Sequence, residues 1–275
     1  MHISELEPMS KIEEDFLKEK GISRTEPFNN VFMEKNDYII KTANSIDELI
    51  KTFKIRYQVY GEFYAVKPPV PLDIDEFDKH ADHIIVMHKP TDEVLGTYRV
   101  LSSDNVDSFY TEREFNLDEF KKTAGRICEM GRATVVPNSR SGAVINLLWR
   151  GVGDYIKKVK ADHLIGCATF WGLKTKEPLL AWHYFKDLGV LLDVETKPLN
   201  KNLIEGWDEM TKKESYTEDQ LKEIKKTLPP LVKSYIKAGA CFGFEPAKDK
   251  KLCAIDFFAA CKLTNLPDNL VKKYL

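Results

Sequence analysis

ICEMGRATVVPNSRSG, residues 127–142, is the stretch on which the fold turns. Ile127–Val136 has the apolar, β-branched composition of a buried strand, yet Glu129 and Arg132 stand three apart with Gly131 between them. A regular strand alternates faces with period two, so that spacing sends the two charges to opposite sides. One extra residue returns them to a common face, and glycine takes the positive φ that some bulges require. The sequence therefore predicts a strand interrupted at Gly131, with its ladder broken, its neighbours splayed and backbone N–H groups left facing a gap. Unpaired donors in a cleft are what a carbonyl or its tetrahedral oxyanion accepts from. The alternative is a structural salt bridge with a packing glycine. Glu-Met-Gly-Arg alone does not choose between them.

Downstream of this strand, Pro137 closes it and Arg140, Ser141 and Gly142 lead into a helix ending near Lys158. A strand at His163–Phe170 follows, which makes a βαβ unit. Upstream, the turn KPTDE joins strands at His83–His88 and Val94–Leu101. Ser45 with Glu48 forms a capping-box pattern ahead of Ile46, Leu49, Ile50, Phe53 and Tyr57 at helical spacing. Arg56 falls beside that stripe, either snorkelling at the helix edge or held by a partner. Between these parts, VKPPVPLDIDEFDKHADH (66–83) excludes helix and central strand through its first half.

The C-terminal third reads as a helix at Leu179–Lys186, a strand near Val190–Val194 and an exposed helix near Thr217–Lys226. A further helix is started by Pro229-Pro230 and stopped at Gly239, and closing strands fall at Ala240–Phe244 and Cys253–Ala260. A short helix is expected near Leu117–Lys122. The expected class is α/β: a mixed, mostly antiparallel sheet, splayed at a bulge and flanked by helices, with a C-terminal extension. Residues 1–36 read as an N-terminal arm and 37–275 as one domain, with 178–275 completing the sheet or forming a lobe.

Composition narrows the function classes. The chain has 275 residues, 43% hydrophobic and 31% charged, with a formal net charge of -2. No global field recruits nucleic acid. The five cysteines never occur as CxxC and several lie in apolar runs, which suits reduced thiols in the cytoplasm. No leader pattern opens the chain, and no apolar run approaches the ~20 residues that span a bilayer. The expected location is therefore cytoplasmic, with peripheral contact on the inner membrane face left open. His80, Asp82 and His83 lack a third ligand in phase, so no metal is expected there.

Three polar clusters remain: Arg56; Asp73, Asp75 and Asp78; and Arg99 with Glu129 and Arg132. Arg99 is a lone cation among Leu95, Thr97 and Leu101, and burying it unpaired costs several kcal/mol, so carboxylates should converge on it. The natural candidates are Glu129 and the aspartates.

These residues carry a resemblance. Arg56 with Tyr60, Asp73-x-Asp75-x-x-Asp78, Gly96-x-x-Arg99 and Glu129-x-x-Arg132 occur in the order and at the intervals found in acyl-homoserine-lactone autoinducer synthases, acyltransferases of the GNAT superfold. ADHIIVMHKPTDEVLGTYRVL, FYTEREFNL, EMGRATVVPNSRSGAVINLLWRGVGDYI, LIGCATFWG and LPPLVKSYIKAGACFGFEPAKDKKLCAIDFFAAC resemble the ornithine-acyl carrier protein N-acyltransferases and hemolysin-like acyltransferases. The similarity covers roughly 45–262.

It implies a GNAT-like fold and an amide-forming N-acyltransferase. A long acyl chain, in one form 3-hydroxyacyl, would pass from an acyl carrier protein thioester to an amino-acid α-amine, ornithine first, giving a lyso-ornithine lipid. The alternatives are another amine acceptor, as in N-acyl amino acid or lactone synthases, and a non-catalytic acyl-binding protein on the same scaffold.

No tightly bound cofactor is implied, the phosphopantetheine thioester being a co-substrate. NSRSGA (138–143) departs from the coenzyme A pyrophosphate loop of GNAT acetyltransferases, which favours the carrier protein over acyl-CoA. The implied base is Glu129, then Asp75 or Asp78. Arg99 and Arg132 hold the acceptor carboxylate or brace Glu129, Arg56 braces the acidic loop, and Asp73 belongs to the acceptor site. Met130 and Gly131 receive the oxyanion, and Arg140, Ser141 and Gly142 hold the donor phosphate at a helix N-terminus.

Overall fold

The strands expected at His83–His88, Val94–Leu101, Ile127–Val136 and His163–Phe170 form at Asp82–His88, Glu93–Ser102, Ile127–Val135 and His163–Trp171. The structure is a computed structural model that describes residues 11–23, 25–140, 142–213 and 216–275. In chain order the strands are β1 Phe32–Lys35, β2 Tyr38–Thr42, β3 Asp82–His88, β4 Glu93–Ser102, β5 Phe115–Asn116, β6 Ile127–Val135, β7 His163–Trp171, β8 Lys197–Pro198, β9 Cys241–Phe242, β10 Ala247–Asp249 and β11 Ala254–Lys262. The helices are α1 Lys11–Glu19, α2 Ile46–Tyr60, α3 Asp118–Thr123, α4 Ala143–Val159, α5 Lys176–Asp187, α6 Trp207–Lys213, α7 Glu218–Thr227, α8 Pro230–Lys237 and α9 Asp268–Tyr274.

Contacts divide the chain into two units. The first takes residues 1–62, 67–101 and 132–159; the second takes 63–66, 102–131 and 160–275. β6 passes from one to the other between Gly131 and Arg132.

In the first unit, β1-β2-β3-β4 run antiparallel in that order, and Val136 N–H beyond β6 donates to the Leu95 carbonyl at 2.9 Å. β1 lies within the stretch read from sequence as an arm. Its period-two signal is masked because its two apolar residues, Phe32 and Met33, are adjacent, and Phe32 is 58% exposed on an edge. Asp82 ties that stretch down: its carboxylate accepts the Phe28 and Asn29 N–H groups and the Tyr155 hydroxyl, each at 2.9 Å.

α2 begins as expected, with Ser45 Oγ accepting the Glu48 N–H at 3.2 Å. Glu48 reaches back one residue further than a capping box would place it, accepting Asn44 N–H at 2.8 Å. The helix buries Leu49, Ile50, Phe53 and, in the same stripe, Arg56. Burying a phenylalanine such as Phe53 contributes roughly 2–3 kcal/mol.

In the second unit, β7 pairs antiparallel with the whole of β11, from Ala254↔Trp171 to Lys262↔His163, and β10 and β9 pair with β11 in turn. β6 joins β7 in parallel from Ile127↔His163 to Glu129↔Ile165. The fold is thus mixed and mostly antiparallel, with helices flanking the strands, as the sequence predicts. Trp182, Phe185, Trp207, Phe242 and Phe257 are buried in one core, where Phe185 stacks on Phe242 at 4.0 Å between ring centroids.

One expected strand is absent. Val190–Val194 forms only an isolated bridge, Leu191↔Phe242. The pairing stops at one residue: Leu192 N–H donates to the Phe242 carbonyl and Phe242 N–H to the Val190 carbonyl, each at 2.8 Å, while Val190 N–H is taken by the Phe185 carbonyl at 3.0 Å. Among the described residues no helix is long and apolar enough to cross a membrane.

Candidate active site

The first unit holds the arginines and aspartates together. Arg56 donates from Nε to Asp73 Oδ2 at 3.0 Å, and from Nη1 and Nη2 to the two oxygens of Asp78 at 2.7 and 3.1 Å. Arg99 Nη1 donates to Asp75 Oδ1 at 2.7 Å and lies 3.4 Å from Asp78 Oδ1. Arg132 Nη2 donates to Asp75 Oδ2 at 3.0 Å, and its Nε lies 3.1 Å from Asp73 Oδ2. Arg56 and Asp73 are wholly buried and Arg99 is 1% exposed. Arg56 therefore does not snorkel. It braces the acidic loop from inside, through a bidentate geometry that only a guanidinium offers.

Burial works against these charges and the ion pairs work for them. The Arg99 and Arg132 guanidinia hold the Asp75 carboxyl well below the usual carboxylate range. Asp73 and Asp78 push the Arg56 guanidinium, and Asp75 and Asp78 the Arg99 guanidinium, still higher. Asp75, held this way, is a poor proton acceptor, while Asp78 is tied to Arg56 through both of its oxygens. His83 packs edge-on against Phe53 at 5.3 Å, and its Nε2 lies 3.7 Å from Asp78 Oδ1.

The backbone irregularity sits one residue later than expected. Gly131 is not among the positive-φ residues; Arg132 is, at φ 52. A guanidinium locked onto two aspartates can hold its own backbone in the left-handed region, which a free side chain disfavours. The parallel ladder to β7 ends at Glu129↔Ile165, two residues before Gly131, and β6 itself continues through Gly131 to Val135. Gly166 lets the strands approach there, because a Cβ on it would lie 2.6 Å from the Met130 carbonyl oxygen.

Glu129 belongs to the second unit and is 3% exposed. Its Oε2 accepts the Tyr110 N–H at 2.7 Å and its Oε1 the Thr111 N–H at 2.7 Å; the Thr111 hydroxyl donates to Oε1 as well. The carboxylate thus caps the short 3-10 turn Tyr110–Arg113. Tyr110 and Thr111, within FYTER, are not among the residues the sequence leads one to expect at the site. The signal is the turn's own pattern, in which Glu112 accepts the Phe109 N–H at 2.8 Å and starts the 3-10 helix.

Pairing places Glu129 opposite Ile165, and the strand alternation then puts Glu129, Cys167, Asp256 and Asp249 on one face of four adjoining strands. Tyr110 Oη donates to Asp249 at 3.3 Å above that face. Ligand atoms of Glu114, Cys167 and Asp256 lie within 4.8 Å of one another. Burial and the surrounding carboxylates push the Cys167 thiol well up, so it stays protonated. Two carboxylates and a neutral thiol fall short of a structural zinc set.

Ahead of α4, in the first unit, Gly142 takes φ +87 with open space around its α-carbon. Arg140 Nε donates to the Val135 carbonyl at 3.2 Å, and Asn146 Nδ2 to the Gly142 carbonyl at 2.7 Å. Ser141 lies outside the described residues.

Residues 55–150 match the family model described as an acetyltransferase (GNAT) domain. Together with the relatives described next, this supports an amide-forming acyltransferase. The relatives point the same way. The chain is 26% identical over 85% of its length to an L-ornithine N(alpha)-acyltransferase of Agrobacterium fabrum, covering 84% of that protein. It is 31% identical over 53% of its length to the enzyme of that name from Rhodobacter capsulatus, covering 62% of it. Among solved structures it resembles FeeM, an N-acyl amino acid synthase from uncultured soil microbes, at 11% identity and a TM-score of 0.46, over 82% of this chain and 91% of that one.

Proposed function

We propose that the protein moves a long acyl chain, in one form 3-hydroxyacyl, from an acyl carrier protein thioester to the α-amine of ornithine, releasing a lyso-ornithine lipid. The observation that carries this reading is the similarity, across 85% of the chain, to an L-ornithine N(alpha)-acyltransferase. The ammonium first gives one proton to a base; the amine then attacks the thioester carbonyl, the carbon–sulfur bond breaks, and a second proton from the nitrogen leaves with the thiol. Asp75 is a weak base, held down by its two arginines. We assign the amine proton to Glu129, reached through the Thr111 hydroxyl that donates to it. The acidic loop is neutralised by its own arginines, so the cationic acceptor is better matched by the face carrying Glu114, Asp249 and Asp256, all buried. In the first unit, the α4 N-terminus with Arg140 and Gly142 is assigned to the single phosphate of phosphopantetheine.

The test incubates the protein with long-chain acyl carrier protein, or with the matching acyl-CoA, and a panel of amino acids, reading products by mass. N-acylornithine formed from the carrier protein supports the proposal. Product with another amine alone assigns the acceptor elsewhere. No product with any amine or donor overturns the reading.

A further inference from the structure

Phe63 stacks on Trp171, with ring centroids 4.0 Å apart and planes 17° from parallel. Both lie in the second unit. Around them the surface is apolar where a soluble edge would be polar: Val66 is 83%, Leu173 45% and Trp171 itself 40% exposed. Backbone hydrogen bonds bring the three segments to one edge. Gly172 N–H donates to the Cys253 carbonyl at 2.8 Å and Ala65 N–H to the Lys251 carbonyl at 2.9 Å. The same segments expose Lys174, Lys176, Lys250 and Lys251, opposed by Glu177. Asp249, next in sequence, is buried and accepts the Lys251 and Leu252 N–H groups, so its charge is turned inward.

Aromatic rings settle at the level of lipid headgroups, and clustered lysines are drawn to an anionic leaflet. We propose that this edge docks the protein on an anionic lipid bilayer, Trp171, Phe63, Val66 and Leu173 entering the headgroup region and the lysines facing lipid phosphates. The inference rests on the functional reading only for its purpose, since an N-acylated amino acid is an amphiphile that leaves water for a bilayer. The docking itself needs no turnover.

The test is co-sedimentation of the full chain with vesicles of phosphatidylcholine alone and of phosphatidylcholine mixed with phosphatidylglycerol. Binding is expected to the mixed vesicles and to weaken with added salt. Lys174→Glu with Lys250→Glu, both exposed and remote from the core, should lower the partition coefficient roughly 25-fold or more, at about fivefold per lysine. Trp171→Ala should lower it as well, with the lysine pair guarding against a folding defect. Wild-type binding by the lysine variant, or no preference for the anionic vesicles, overturns the proposal. So does lysine-dependent binding of an acidic soluble probe, such as acyl carrier protein, without vesicle binding. Ornithine acylation assayed on the same preparation separates the two readings. Turnover without vesicle binding removes only this one; vesicle binding without turnover removes only the other.

Discussion

Arg56 grips Asp78 with both of its terminal nitrogens, at 2.7 and 3.1 Å, while neither residue's side chain meets solvent. Losing one half of such a pair strands the other as a buried charge. Arg56→Met should therefore cost about 3–5 kcal/mol, read by urea unfolding, and Arg56→Lys should lose much of the same amount because an ammonium has no fork. A loss below about 1 kcal/mol for either variant would show the pair to be dispensable.

The network also fixes the acid limb of stability. The folded Asp75 carboxyl titrates below its ordinary 3.8, so the unfolded chain takes up that proton first. Its contribution is complete above about pH 5 and is lost as the pH falls through and below the unfolded value. Stability measured from pH 6 down to pH 2 should fall along this limb, and Asp75→Asn should flatten the slope. An unchanged slope would mean that Asp75 is not the group responsible.

Thiol chemistry should separate folded from unfolded protein. Burial, helped by Asp104, pushes the Cys128 thiol up to about 12, and Cys167 is pushed well above its usual value too. At pH 8 almost no thiolate forms at either, so iodoacetamide should leave both unmodified in the native protein and label them in urea. Rapid native labelling of Cys128, located by peptide mass, would contradict its burial.

Gly166→Ala sets a methyl group 2.6 Å from the Met130 carbonyl, on backbone that has little room to yield. The strands must part by a few tenths of an ångström, at a cost of about 1–3 kcal/mol. Acyl transfer should fall more than stability does, if Glu129 one residue before Met130 serves the reaction. Equal turnover by the variant and the wild type would separate the strand spacing from the chemistry.

Much of the architecture was legible in the sequence because its signals are local. Apolar, β-branched runs bounded by turn signals marked β3, β4, β6 and β7; Ser45 marked the start of α2; Pro137 and Gly142 bracketed the turn into α4. Val190–Val194 misled because a short apolar run packs equally well against a helix and in a sheet. α6 and α9, with few apolar residues each, gave no period to read. Within the candidate site, Arg56 was left open between the helix edge and a partner, while the convergence of the aspartates on Arg99 followed from the cost of a lone buried cation. The division of labour did not, because partner choice is a matter of distance. Arg132 goes to Asp73 and Asp75, Glu129 to Tyr110 and Thr111, and the positive φ to Arg132, not Gly131.

The three guanidinia and three carboxylates cancel, charge for charge. Seen from more than a few ångströms away, such an assembly is a multipole whose potential dies off steeply, so it neither attracts nor repels a charged reactant. It also offers salt no net charge to screen. Its constraint falls on heredity instead: one member can change sign only if another changes with it, so these six positions are free to drift together and held fast when taken singly.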